Sequence, residues 1–120
     1  MRYMRPRLTL AIHPAALVAA LRGWVPSVIA DLRANPQRPL YKSGVRYRRE
    51  RGEDWLLPSQ ITTFADCEDL AAWRAAELQL RGIDAQPTIK RTGPRTWHAV
   101  VQWPDGRIED PSKKLGMRTP

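Results

Sequence analysis

Leu8, Leu10 and Ile12 alternate with Thr9 and Ala11, the period of two expected of a short, half-buried strand. Pro14 then suits a first helical position, residues 15–21 are helix-forming, and Gly23 is placed to end that helix. Val25, Val28, Ile29 and Leu32 repeat at helical spacing until Asn35-Pro36, so the front of the chain predicts two short helices in a small packed layer. Between Pro36 and Gln60 the prolines at 36, 39 and 58 and the glycines at 44 and 52 predict loops, with a brief strand around Val45 and Tyr47.

The segment from Asp66 to Gly82 carries the strongest helical pattern. Asp66 stands at the N-cap, and Cys67, Leu70, Ala71, Ala75 and Leu78 fall on one face, which is expected to be buried. Gly82 supplies the stop, and Ile83 falls where a Schellman motif sets an apolar residue against Leu78. Three strand-like runs follow: residues 85–91, 95–103 and 107–110, separated by Thr92-Gly93-Pro94 and Pro104-Asp105-Gly106. One helix followed by an antiparallel meander predicts an α+β domain rather than alternating βαβ units.

With 120 residues, 42% of them hydrophobic, the chain fits a single domain with one modest core. One cysteine allows no internal disulfide and no multi-thiolate zinc site, and no Gly-rich phosphate loop or metal-ligand spacing is present. The formal charge of +8 is uneven. Residues 1–51 hold 11 Lys/Arg against 2 Asp/Glu, a basic front that reads as a solvated surface or as a contact for an anionic surface, an acidic partner or a polyanion. Aromatic and basic residues interleave too sparsely for a nucleic-acid platform, so the five tryptophans, Trp24, Trp55, Trp73, Trp97 and Trp103, are assigned to the core or to cleft walls. Arg2, Arg5 and Arg7 ahead of the apolar run 8–21 imitate a secretory signal. His13 and Pro14 interrupt that run, no small-x-small cleavage site follows, and no continuous stretch has the length of a membrane span. His13 itself, just before Pro14, reads as a capping or exposed residue.

The candidate chemistry lies in the second half. Cys67 occupies the first turn of the predicted helix, His98 lies in the run Thr96-Trp97-His98-Ala99-Val100-Val101, and Asp110 closes Arg107-Ile108-Glu109-Asp110. A thiol on a helix start, followed by an imidazole and a carboxylate on successive strands, is one order in which nucleophilic triads occur. The helix dipole and free N–H groups of a first turn favour a thiolate, but Glu68 and Asp69 bring opposing negative charge. Helix position alone therefore cannot activate Cys67, and an imidazole is needed. If Pro104-Asp105-Gly106 forms a three-residue loop with Gly106 left-handed, paired residue numbers across the hairpin sum to 210. Val100 then faces Asp110, His98 faces Ser112, and His98 and Asp110 share a sheet face about 7 to 8 Å apart at the backbone. A two-residue loop would send them to opposite faces. The Cys67 N–H is one candidate oxyanion donor, and Gln60, seven residues upstream, is a weaker second.

At these residues the chain resembles the transglutaminase-like branch of the papain-like cysteine peptidase superfamily. Asp66-Cys67-Glu68-Asp69-Leu70-Ala71 is similar to that branch's nucleophile motif, with Ala65 where glycine is usual. Trp97-His98-Ala99-Val100-Val101 resembles its histidine strand, and Asp105-Gly106-Arg107-Ile108-Glu109-Asp110-Pro111-Ser112 its Asp-Gly-x-x-x-Asp-Pro-Ser segment. Leu115-Gly116-Met117 resembles the ending of small members found in bacteriophages and prophages. The resemblance covers residues 53–117 and leaves residues 1–52 as a basic helical and loop extension. It implies a nucleophile helix packed on the meander in a papain-like core, and Cys67, His98 and Asp110 as a triad. It further implies amide hydrolysis or acyl transfer through a thioester on a protein or peptide substrate, with neither metal nor organic cofactor. A catalytically silent relative would instead be a structural or adaptor component, in a phage particle for instance. Either would reside in a bacterial cytoplasm or a virion.

Overall fold

The computed structural model describes residues 3–4, 13–49, 54–94 and 96–118. The strand expected at residues 8–12 lies outside the described residues. β1 (Tyr3–Met4) pairs antiparallel with β3 (Asp54–Trp55), and β2 (Arg46–Tyr47) pairs in parallel with β4 (Phe64–Ala65). A third sheet is the meander of β5 (Gln86–Gly93), β6 (Thr96–Gln102) and β7 (Ile108–Glu109). The described residues also hold three α-helices, α1 (Pro14–Ala34), α2 (Cys67–Leu80) and the single turn α3 (Pro111–Lys114), and two 3-10 turns at Leu40–Lys42 and Pro58–Gln60. The α+β class is therefore as the sequence pattern predicts.

The front of the chain departs from it. Gly23 does not end a helix: α1 runs through both Gly23 and Pro26 for 21 residues. Its buried side chains Leu17, Leu21, Trp24, Val25 and Val28 form one continuous stripe. Each is worth about 1.5–3 kcal/mol of burial, together more than the about 1 kcal/mol for an interior glycine and about 3 for an interior proline. Arg22 and Pro26 both lie on the exposed side, so the carbonyl that loses its partner at the proline is open to water. His13 caps the helix through Nδ1, which accepts from the Ala15 N–H at 3.1 Å. By length and mean hydropathy α1 meets the criteria for crossing a membrane, yet its apolar stripe packs in the protein core.

α2 is the centre of the molecule. Leu17, Leu21, Trp24, Val25 and Val28 of α1 cluster with Ala71, Ala72, Ala75, Ala76 and Leu78 of α2 and with Ala99 and Val101 of β6. On the other side Leu70 and Trp73 of α2 pack with Leu40, Val45, Ala65 and Leu115. The run of alanines lets α1 and the sheet approach the helix closely, which is why nearly its whole circumference is buried. Its end is the expected Schellman motif: Gly82 is left-handed at φ 81°, its N–H donates to Gln79 O, and that of Ile83 to Leu78 O at 3.0 Å. Trp24, Trp55 and Trp73 are buried, whereas Trp97 is 36% exposed under the guanidinium of Arg91.

Candidate functional site

The loop before α2 is built to present the first turn. Asp66 is extended and its Oδ1 accepts from the Glu68 and Asp69 N–H groups, each at 3.2 Å, the N-cap its position predicts. Cys67 is thereby the first helical residue, with a backbone N–H that has no intrahelical acceptor. Its side chain is partly buried against the main cluster, with the Ala99 N–H close enough to favour its thiolate. β7 pairs with β6 only through Val101↔Glu109 and Gln102↔Ile108. The Ala99 N–H that favours the thiolate thus lies on β6 beyond the point where β7 ends, and Ala99 directly follows His98.

The hairpin has the three-residue loop. Trp103 N–H donates to Arg107 O at 2.8 Å, Gly106 is left-handed at φ 89°, and both ladder pairs obey the expected sum. Pairing does not continue to Val100 and His98, which corrects the longer ladder expected from the sequence. Pro111 has no N–H to contribute, and Asp110 instead caps α3, accepting from the Lys113 N–H at 3.2 Å. Ser112 consequently lies in α3, where its hydroxyl is buried and has no hydrogen-bond partner among the described residues. The Asp110 carboxylate still reaches His98. Both of its oxygens lie 3.0 Å from Nε2 of the buried imidazole.

Electrostatically the thiol is opposed by its surroundings. Burial first, then the charges of Glu68 and Asp66, push Cys67 well above an ordinary thiol, while the Ala99 N–H pulls the other way. Asp69 is buried at 3% exposure and accepts from the Leu56 N–H at 2.8 Å. Burial and the neighbouring Asp66 raise its carboxyl well above the usual carboxylate range, while the Leu56 N–H pulls the other way. Of the acidic neighbours that the sequence sets against Cys67, Asp69 therefore acts least, after Glu68 and Asp66. Glu68 accepts from Trp55 Nε1 at 3.0 Å. Tyr47, which the sequence marks only as part of a brief strand, has its phenol raised by burial and then by the charges of Cys67, Asp66 and Asp110.

Gln60 is used locally. Its Oε1 accepts from the Leu57 N–H at 2.9 Å within its own turn, and among the described residues no hydrogen bond joins it to Cys67, His98 or Asp110. Among the described residues no group of three or more His, Cys, Asp or Glu is arranged to hold a metal ion. Beyond Asp110 a shallow depression of about 320 Å³ is walled by Trp103, Ile108 and Asp110 and rimmed by Arg107, Lys113 and Lys114.

Fold and site together define an α+β domain in which a helix-start thiol lies by the strand that carries His98, whose ring meets the Asp110 carboxylate at the cap of α3. No family model, no curated protein and no solved structure matches the chain.

Proposed function

We propose that the protein is a transglutaminase-like, cysteine-dependent amide hydrolase or acyl transferase with Cys67 as nucleophile, His98 as general base and acid, and Asp110 as the residue that orients the ring. The observation that carries this reading is the two-oxygen contact of Asp110 with His98 Nε2, one residue from the Ala99 N–H that favours the Cys67 thiolate. An Nε2–H donated to Asp110 leaves Nδ1 as the basic ring nitrogen. Because burial keeps the resting thiol protonated, the proton passes from Cys67 to His98 Nδ1 as sulfur attacks the amide carbonyl. The tetrahedral oxyanion takes the Cys67 N–H, and the imidazolium returns the proton to the departing amine. The thioester then passes its acyl group to water or to an amine, releasing the thiol.

A second reading draws on the same thiol. Burial and acidic neighbours that raise Cys67 also suit a silent member of this fold acting as a structural or adaptor protein. Iodoacetamide labelling of Cys67 at pH 7 separates the two. Catalysis requires the wild type to react at least about tenfold faster than His98→Ala, and equal rates would leave only the silent reading.

A further inference from the structure

Asp110 hangs from weak support. β7, which delivers it, is a two-residue edge strand with two ladder pairs, and beyond it Asp110 is tied, His98 aside, only to the single turn α3 among the described residues, through the Lys113 and Lys114 N–H groups. The neighbouring residue supplies what the ladder lacks. Successive strand residues point to opposite faces, so the side chain of Glu109 is directed away from that of Asp110 and toward α2. There its carboxylate is saturated: Arg74 Nε donates at 2.6 Å and the Tyr41 hydroxyl also donates to Oε2, while Trp103 Nε1 donates to Oε1 at 3.1 Å. Arg74 is shared with Glu77 at 3.3 Å, and Glu77 in turn accepts from the Leu40 N–H at 2.8 Å. These groups are shielded, with side-chain exposures of 13% for Arg74 and 10% for Glu109, where a paired charge counts for more than at the surface.

Arg74 stands seven residues after Cys67, two turns along the same face of α2. The helix that carries the thiol is thus tied, through one guanidinium, to the strand that carries the carboxylate. We propose that Glu109 is a positioning residue: held by Arg74, Tyr41 and Trp103, it clamps β7 to α2 and so sets Asp110 against His98 at the place where the ring can serve Cys67. The inference rests on the catalytic reading of Cys67, His98 and Asp110. Consistent with a clamp, burial would raise Glu109, yet the donors Tyr41, Arg74 and Trp103 hold it below the ordinary carboxylate range.

The test is the rate of Cys67 alkylation by iodoacetamide at pH 7 in the full chain, with thermal unfolding recorded in parallel. Destabilisation exposes a buried thiol and speeds labelling, so a slower rate is a readout that a merely structural role does not produce. Glu109→Ala is expected to label about fivefold to tenfold more slowly than wild type, approaching Asp110→Asn. Glu109→Gln, which keeps an acceptor oxygen, recovers most of the rate, and Val28→Ala, a core change remote from the clamp, labels no more slowly than wild type. Tyr41→Phe removes one donor without disturbing charge and slows labelling about twofold to threefold, which keeps the test open if Glu109→Ala does not fold. Wild-type rates in Glu109→Ala and Tyr41→Phe beside a slow Asp110→Asn would overturn the clamp and leave the catalytic reading standing. Wild-type rates in His98→Ala and Asp110→Asn would remove that reading and the clamp with it.

Discussion

Asp110 meets His98 through both carboxylate oxygens, each 3.0 Å from Nε2, while the same carboxylate caps α3 through the Lys113 N–H. One side chain therefore orients the imidazole and starts a helix. The two roles separate by substitution: Asn caps as well as Asp, and Ala does not. Asp110→Asn should retain wild-type stability within about 0.5 kcal/mol while slowing Cys67 labelling about tenfold. Asp110→Ala should add a loss of about 1 kcal/mol from the missing cap. Urea midpoints and labelling rates on both variants decide this, and an unchanged labelling rate in Asp110→Asn would deny the carboxylate charge any part in the site.

Gly106 holds the register that brings those residues together. It is left-handed at φ 89°, and a Cβ added there meets nothing within 4 Å, so the cost of Gly106→Ala is backbone strain alone, about 1 kcal/mol. The hairpin is expected to keep its three-residue loop, lowering the melting temperature by a few degrees. A neutral or stabilising effect would show that the turn is not left-handed at this residue.

Gly23 tests the continuity of α1 with the opposite sign. It is exposed within the helix, and a Cβ there also meets nothing within 4 Å. Gly23→Ala should stabilise the protein by about 0.5–1 kcal/mol, because alanine loses less backbone freedom on folding. If Gly23 were the terminator its position suggests, alanine would destabilise instead, and denaturant unfolding distinguishes the two.

Asp69 sets a pH dependence. Its carboxyl is raised far above the usual range by burial and by Asp66, so between the unfolded and folded values the native chain holds a proton that the unfolded chain has released. Its contribution to stability is fully present below the unfolded value, about 4, and is lost as pH rises through the folded one. Asp69→Asn mimics the protonated form and removes that loss. Relative to wild type, the variant should gain stability as pH rises above the unfolded value. A wild-type-to-variant difference that does not change with pH would show that Asp69 is ionised in the native protein.

Much of the site's local geometry was legible without the fold. An aspartate ahead of a helical pattern names its own N-cap at Asp66, a left-handed glycine followed by an apolar residue names the Schellman stop at Gly82 and Ile83, and Pro104-Asp105-Gly106 names the loop that sets the register. Each depends on a few consecutive residues, and so does the pattern that orders helix before meander. The ladder beyond Glu109 was misjudged because Pro111 favours starting α3 over continuing a strand.

What the chain by itself determined is therefore the set of short-range devices: caps, turns, register and the α+β order, all governed by dihedral preference and hydrogen bonds a few residues long. The tertiary structure alone decided that α1 is one helix, since burial of its stripe against α2 outweighs Gly23 and Pro26. It also decided that the Asp69 carboxyl is raised, because burial and the closeness of Asp66 disfavour its charge. The meeting of Tyr41, Arg74 and Glu109 is likewise a tertiary outcome. Those three are far apart in sequence and share no motif; only packing around α2 gives their charges a common, water-poor place in which to pair.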